Sequence, residues 1–250
     1  MILIAGPCII ESEDILKDTV EKLLEAIEDK NIDFYFKSSF KKDNRTSLDG
    51  FRGLPVREAL GYLQNIKKEY NVKICTDFHT IGQIDLVKEF DVDIIQIPAF
   101  LAKQNSLLEY AKYVAQSENK KLFIKKPQFI GPDDANNIIK NIDLNEIDVF
   151  MADRGTMLGY NQVFMDPRHI HLMQESGAKI LGDITHPNKN YPGSIYKNIE
   201  ALGLSYMAAG ADGLFLETHT KCEQALCDSQ TMLPTKYLNE LIEKFYGVSK

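Results

Sequence analysis

The sequence has no apolar run long enough to cross a membrane. Its longest, Ile94–Ala102, is broken by Gln96 and Pro98 and falls far below the ~20 residues a spanning helix needs. The segment MILIAGPCII is apolar but has no basic residues ahead of it, and Glu11, Glu13 and Asp14 follow directly, which argues against a secretory signal. Cysteine is scarce. Cys8, Cys75, Cys222 and Cys227 among 250 residues do not make a disulfide scaffold, so a reduced, cytoplasmic protein is expected. Positive charge is in deficit too, with 29 Lys+Arg against 36 Asp+Glu and a formal charge of −7. That balance argues against a broad nucleic-acid-binding face. No Pro/Gly/Ser-rich linker, repeat or low-complexity tract divides the chain. What remains is an ordinary globular composition, 44% hydrophobic and 26% charged, in a chain long enough to bury a sizeable core as one domain over 1–250.

Short β-rich runs recur along the chain: Ile2–Ala5, Asp33–Lys37, Val72–Thr76, Asp93–Gln96, Leu122–Lys125, Asp148–Met151, Lys179–Gly182 and Gly213–Glu217. Most are apolar on both faces, as parallel strands covered on both sides must be. Helical patterns separate them. Ser12 precedes Ile15, Thr19, Leu23, Leu24 and Ile27 as an N-cap with acids in the first turn. Pro55 opens a second helix before Leu60, Leu63 and Ile66. Further helices are expected over 80–89, 105–116, 132–141, 194–208 and 234–246, with a weaker pattern over 163–175. Eight strand–helix units in about 250 residues is the arithmetic of an α/β (β/α)₈ barrel. A doubly wound sheet is the competitor, but no G-x-G-x-x-G follows the first strand.

In such a barrel the active site forms at the C-terminal strand ends. Those ends deliver Gly6-Pro7-Cys8, Lys37-Ser38-Ser39, Thr76-Asp77-Phe78-His79, Gln96-Ile97-Pro98, Lys125-Lys126, Asp153-Arg154-Gly155, Asp183 with His186, and Glu217 with His219. A polar or ionisable group at all eight is more than solvated loops require. One subset is cationic: Lys37, Lys42, Arg45, Lys125, Lys126 and Arg154. The chain has only five arginines beside 24 lysines, yet Arg45 and Arg154 fall in strand-end loops, where bidentate recognition of phosphate or carboxylate calls for a guanidinium. An anionic substrate with more than one charged group is expected. A second subset, Cys8, His186, Glu217 and Asp228, offers a thiolate, an imidazole and two carboxylates, donors that suit a divalent transition ion. Cys222 and Cys227 have no partner pair for a zinc site. His169 and His171 are expected to diverge on a helix flank.

These residues resemble a known family over nearly the whole chain. Ile4-Ala5-Gly6-Pro7-Cys8-Ile9-Ile10-Glu11-Ser12, Phe36-Lys37-Ser38-Ser39-Phe40, Asn44-Arg45-Thr46-Ser47 with Phe51-Arg52-Gly53, and Gln96-Ile97-Pro98-Ala99-Phe100-Leu101 are similar to segments of the 3-deoxy-D-manno-octulosonate 8-phosphate (KDO 8-phosphate) synthases. So are Ile124-Lys125-Lys126-Pro127-Gln128-Phe129, Asp153-Arg154-Gly155 with Gly159-Tyr160, Thr185-His186, and Gly213-Leu214-Phe215-Leu216-Glu217-Thr218-His219. The related 3-deoxy-arabino-heptulosonate 7-phosphate (DAHP) synthases share the Ala-Gly-Pro-Cys start. They lack the Gln-Ile-Pro-Ala-Phe-Leu and Lys-Lys-Pro-Gln-Phe segments.

The resemblance implies condensation of phosphoenolpyruvate with arabinose 5-phosphate and water, releasing phosphate. It implies that Lys37, Lys42, Lys125 and Arg154 hold phosphoenolpyruvate, that Asn44, Arg45 and Thr46 hold the sugar phosphate, and that Gln96, Asp77 and Phe100 line the site. Catalytic roles are implied for Lys37, Lys42, Asn44, Asp77, His186 and Asp228, in a cytoplasmic homotetramer. Cys at position 8, rather than Asn, is the mark of the metal-dependent members, with Mn, Fe, Co or Zn bound by Cys8, His186, Glu217 and Asp228. Four features depart from the family pattern. Asp43 replaces Ala beside the sugar-phosphate motif, and Lys103 replaces an Arg that reaches a neighbouring subunit's site. Pro187–Ser194 is a shortened loop lacking its Gln, and Cys227-Asp228-Ser229 replaces Ser-Asp-Gly or Cys-Asp-Gly. Most of these lie on the acceptor side. The rival readings are another aldose phosphate such as erythrose 4-phosphate, a metal-dependent class II aldolase, and a non-catalytic barrel that binds a phosphorylated metabolite.

Overall fold

The computed structural model describes residues 1–43, 50–160 and 162–249. Eight parallel strands pair in chain order: β1 (Ile2–Gly6), β2 (Asp33–Lys37), β3 (Lys73–Asp77), β4 (Ile94–Ile97), β5 (Lys121–Lys125), β6 (Val149–Asp153), β7 (Lys179–Asp183) and β8 (Gly213–His219). Pairing of β8 with β1, from Ile2 opposite Gly213 to Gly6 opposite Glu217, closes the sheet. The helices on the outside are α1 (Glu13–Ile27), α2 (Val56–Tyr70), α3 (Ile81–Ile84), α4 (Asn105–Ser117), α5 (Pro132–Lys140), α6 (Arg168–Gln174), α7 (Ile195–Ala208) and α8 (Leu238–Val248). This is the (β/α)₈ barrel that the strand–helix alternation implies. Ser12 caps α1 as expected, its Oγ accepting the Ile15 N–H at 3.3 Å ahead of Glu13 and Asp14. No helix among the described residues is long and apolar enough to cross a membrane.

Alternation along each strand makes two cores. Outward residues such as Leu3, Phe36, Ile74, Ile95 and Ile124 meet the helices in one large cluster. Inward residues, Ile2, Ile4, Tyr35, Cys75, Ile94, Phe123, Phe150, Ala152, Leu181 and Phe215, fill the barrel. Because side chains repeat every second residue, the next inward position above this plug is determined. Two residues beyond Tyr35, Cys75, Ile94, Phe123, Ala152, Leu181 and Phe215 stand Lys37, Asp77, Gln96, Lys125, Arg154, Asp183 and Glu217. The eighth strand, β1, presents Gly6, where a Cβ would lie 2.2 Å from the Lys37 carbonyl oxygen. The chain then passes directly to Cys8.

Three helical expectations change. The region 163–175 is a short hairpin, Thr156–Met157 with Val163–Phe164, followed by α6 alone. Gly155, at φ +78, turns the chain into that hairpin, and a Cβ there would meet the Phe164 carbonyl oxygen at 2.7 Å. Pro167 delays the helix to Arg168. The helix over 80–89 is one α turn continued as a 3₁₀ turn. The last helix begins at Leu238 because Leu233–Pro234 first pairs with β8.

Candidate active site

The barrel mouth is a cavity lined by Lys37, Lys42, Asp77, Gln96, Pro98, Ala99, Phe100, Lys125, Arg154, His186, Phe215 and Glu217. Its lysines are buried and its arginine half-buried, and all four line the one cavity. Lys37 Nζ lies 3.7 Å from Asp77 Oδ1 and 3.8 Å from Glu217 Oε1, and donates to Ser39 Oγ at 2.9 Å. Lys125 Nζ donates to Asp183 Oδ2 at 2.6 Å and sits 3.0 Å above the centroid of the Phe215 ring. Burial, with Lys37 nearby, pushes Lys125 down to about 8 despite that carboxylate. Burial also lowers Arg154. Lys42 moves the other way: burial opposes its charge, but Cys8, Asp77 and Glu217 more than offset this and raise it. Arg154 Nη1 donates to Gln128 Oε1 at 3.0 Å, and its guanidinium lies 5.9 Å from the exposed Phe100 ring. Asp77, penalised by burial, is nonetheless held well below the carboxylate range by Lys37 and Lys42.

Beside these cations the four anticipated donors come together. His186, Glu217 and Asp228 form one group with metal-ligand spacing, and Cys8 with Asp228 belongs to a second. Cys8 Sγ lies 3.1 Å from Asp228 Oδ2, and His186 Nε2 lies 3.9 Å from Glu217 Oε1. Both Glu217 carboxylate oxygens are buried without a hydrogen bond. Lys37, 3.8 Å from Oε1, offsets part of its charge, but a buried carboxylate without a direct partner is costly, and a divalent cation is a group that would satisfy it. A thiolate, an imidazole and two carboxylates fit a divalent transition ion. Burial pushes the Cys8 thiol up, and the neighbouring Cys227 and Glu217 add to this. Asp228, penalised by burial, is held down to about 2 by His186, Lys42 and Cys8.

Behind this surface lies a second layer, and Lys126, expected from sequence among the substrate cations, belongs to it and not to the cavity lining. Asp183 Oδ1 accepts the backbone N–H groups of Thr185 and His186 at 3.0 and 3.1 Å, while Oδ2 meets His186 Nδ1 at 2.8 Å. Thr185 Oγ1 in turn accepts the Glu217 N–H at 2.7 Å, tying β7 to β8. On the outward side, fully buried Lys126 donates to the carbonyl oxygens of Ile130 and Gly155 at 3.2 and 2.8 Å and lies 3.4 Å from Asp153. Tyr206 Oη donates to Asp153 Oδ2 at 3.1 Å. This network joins the loops that carry Gln128 and Arg154. His169, read from sequence as a helix-flank residue, lies 3.6 Å from Asp153. The loop bearing Asp228 is held by Glu11 Oε1, which accepts the Leu226 N–H at 2.8 Å.

Of the residues singled out from sequence, Cys8, Lys37, Lys42, Asp77, Gln96, Phe100, Lys125, Arg154, His186, Glu217 and Asp228 meet at this mouth. Asn44, Arg45 and Thr46 lie outside the described residues. Lys103 does not join the mouth of its own barrel: it is exposed and lines a groove between α4 and α5 with Leu108, Glu109 and Lys112. Cys227, set aside on sequence, lies 2.9 Å from Cys8, sulfur to sulfur. Their separation of 219 positions hides that relationship from any spacing rule.

A (β/α)₈ barrel with cations converging on one cavity from separate strands, next to a mixed thiol, imidazole and carboxylate set that could hold a metal ion, defines a class: an enzyme handling anionic substrates. The family model of the DAHP synthetase I family matches residues 1–248, and the chain belongs to that family. It is similar to proteins named 2-dehydro-3-deoxyphosphooctonate aldolase from several bacteria. That of Campylobacter jejuni is 40% identical over 253 residues, covering 93% of this chain and 90% of the relative. That of Syntrophobacter fumaroxidans is 34% identical, covering 99% and 87%. That of Francisella philomiragia is 36% identical, covering 96% and 88%.

Proposed function

We propose that the chain, as one catalytic domain, condenses phosphoenolpyruvate with arabinose 5-phosphate and water to give 3-deoxy-D-manno-octulosonate 8-phosphate and inorganic phosphate. The observation that carries this reading is the convergence of Lys37, Lys42, Lys125 and Arg154 on one cavity that also holds His186 and Glu217. Four cations exceed what one monoanion needs and suit a substrate bearing both phosphate and carboxylate. They hold phosphoenolpyruvate and offset its repulsion for a second phosphorylated molecule. The C3 of an enol phosphate is a weak nucleophile, so its orientation against the aldehyde supplies much of the rate. Gln96 and Asp77 each face inward with one oxygen that accepts no hydrogen bond and line the space between donor and acceptor. Phe100 covers Arg154. Asn44, Arg45 and Thr46 hold the sugar phosphate. A divalent ion, Mn, Fe, Co or Zn, held by Cys8, His186, Glu217 and Asp228 supplies Lewis acidity toward the aldehyde or the attacking water.

The enzyme works in the cytoplasm, in keeping with its four unpaired cysteines, and as a homotetramer in which exposed Lys103 serves a neighbouring subunit. Phosphate release on mixing phosphoenolpyruvate with a panel of aldoses tests the reading. Arabinose 5-phosphate is expected to give the highest kcat/KM. Faster release with erythrose 4-phosphate would move the chain to the DAHP reaction, and no release with any aldose would favour a binding barrel. Removing the ion with a chelator is expected to abolish turnover, and added Mn²⁺, Fe²⁺, Co²⁺ or Zn²⁺ to restore it.

A further inference from the structure

Beside the four proposed metal donors the structure brings a fifth, in a second group that shares Asp228 with the first. Cys227 Sγ lies 2.9 Å from Cys8 Sγ and 3.6 Å from Asp228 Oδ2, while Cys8 Sγ lies 3.1 Å from that same oxygen. Cys8, Cys227 and Asp228 thus form a compact triad of their own, sharing Asp228 with the His186, Glu217 and Asp228 group. Cys227 is 4% exposed and packs with Cys8, Ile9 and Met232. The backbone is shaped for this. Consecutive side chains of an extended chain point to opposite sides, but Asp228 adopts φ +46, a left-handed conformation that costs a non-glycine residue energy. Its carbonyl oxygen accepts the N–H groups of Thr231 and Met232 at 2.9 and 3.2 Å. Glu11 pins the same loop at Leu226. The turn lets Cys227 and Asp228, adjacent in sequence, reach one point.

We infer that Cys227 is a second thiolate ligand of the divalent ion, so that the site binds through two sulfurs. This rests on the metal-dependent reading above. Two thiolates bound at about 2.3 Å each, at the 90–120° angles of a five-coordinate ion, stand about 3.3–4.0 Å apart, so the two sulfurs, 2.9 Å apart without it, part by up to about 1 Å as the ion enters. Side-chain rotation supplies that. Two sulfurs make the pocket softer than the four-donor set, favouring thiophilic ions such as Cd²⁺, Zn²⁺ and Co²⁺ over Mn²⁺.

Cobalt titrated into the metal-free full-length chain tests this, because the near-ultraviolet sulfur-to-Co²⁺ charge-transfer band grows with each bound thiolate. The wild type is expected to show about twice the intensity of Cys227→Ser or of Cys8→Ser, and the double variant none. A Cys227→Ser band equal to wild type, lost entirely in Cys8→Ser, overturns the assignment while leaving the metal reading intact. A wild-type chain that binds no Co²⁺ by equilibrium dialysis defeats the metal reading itself. As a second measure, Cd²⁺ affinity is expected to fall at least tenfold in Cys227→Ala with Mn²⁺ affinity nearly unchanged. Equal losses for both ions, or none for either, would also overturn it.

Discussion

Asp183 grips His186 twice, through the backbone N–H at 3.1 Å and through ring Nδ1 at 2.8 Å. With Nδ1 bonded to that carboxylate, ring Nε2 is the nitrogen that faces Glu217, 3.9 Å away. The same oxygen holds Lys125 at 2.6 Å. One fully buried carboxylate therefore aligns a member of the donor set and neutralises a member of the cation set.

Replacing it separates those two duties from the chemistry. Asp183→Asn is expected to weaken metal binding roughly 10- to 100-fold, the usual effect of losing the partner of a ligating histidine, and to raise the KM for phosphoenolpyruvate. Chelator competition measures the first effect and steady-state kinetics the second. Unchanged metal affinity would mean that the backbone contact alone orients the ring.

Arg154 has its fork direction set by Gln128, at 3.0 Å from Nη1. Arg154→Lys keeps the charge but loses the paired donors. kcat/KM for phosphoenolpyruvate is expected to fall roughly 10- to 1000-fold, about 1.4–4 kcal/mol. Gln128→Ala, which frees the fork without removing it, is expected to cost less than tenfold. Kinetics for Arg154→Lys equal to wild type would reduce the residue to a structural role.

Lys125 is expected to give the reaction an alkaline limb. Burial pushes its ammonium down to about 8, so it carries charge below that pH and loses it above. A neutral amine does not hold an anion, so kcat/KM for phosphoenolpyruvate is expected to decline above about pH 8. Asp228 and Asp183 lie well below neutrality and contribute nothing in this window. Lys125→Arg, with a guanidinium that stays protonated, is expected to move the limb out of range even where turnover drops. A limb at the same pH in that variant would assign it to another group.

Much of this arrangement was legible in the sequence because one rule repeats. Strands of period two, filled by Tyr35, Cys75, Phe123, Leu181 and Phe215, must present Lys37, Asp77, Lys125, Asp183 and Glu217 two residues later. Contacts between segments distant in the chain carry no such rule. Cys227 meets Cys8 across 219 residues, and Asp183 reads as one more strand-end carboxylate until His186 folds back on it. The hairpin after Gly155 was hidden by apolar residues 163–165, which fit a helix face equally well. Lys103 came from resemblance alone, and a single chain gives it no partner at its own mouth.

The Lys126–Asp153 pair, both side chains inaccessible, is a test of stability rather than binding. Lys126→Met leaves Asp153 buried with its countercharge gone and is expected to cost about 3–5 kcal/mol, read as a lower midpoint in urea unfolding. The double variant Lys126→Met/Asp153→Leu is expected to recover most of that. A double variant as unstable as the single one would place the loss in the Gly155 and Ile130 carbonyl contacts instead.

Asp43 is the residue where sequence and structure point in opposite directions. As a lone carboxylate beside the sugar-phosphate motif it should repel the acceptor, and Asp43→Ala should then lower the KM for arabinose 5-phosphate. The structure gives it two partners: Lys41 Nζ at 3.2 Å, which offsets its charge, and Gln83 Nε2, which donates to Oδ2 at 3.2 Å. Gln83 also accepts the His79 N–H at 2.8 Å, so Asp43 fastens the β2 loop to the β3 loop beside Asp77. Loss of that tether outweighs relief of a repulsion that Lys41 already offsets and solvent screens. Asp43→Ala is therefore expected to raise the KM for arabinose 5-phosphate about two- to tenfold, while Asp43→Asn, which still accepts from Gln83, stays near wild type. The KM for phosphoenolpyruvate is expected to move little in either. Measuring both variants at low and high salt separates the causes, because a tether is nearly indifferent to ionic strength. A KM that falls in both variants, and falls most at low salt, would make repulsion the dominant effect and an acceptor less highly charged than arabinose 5-phosphate the better reading.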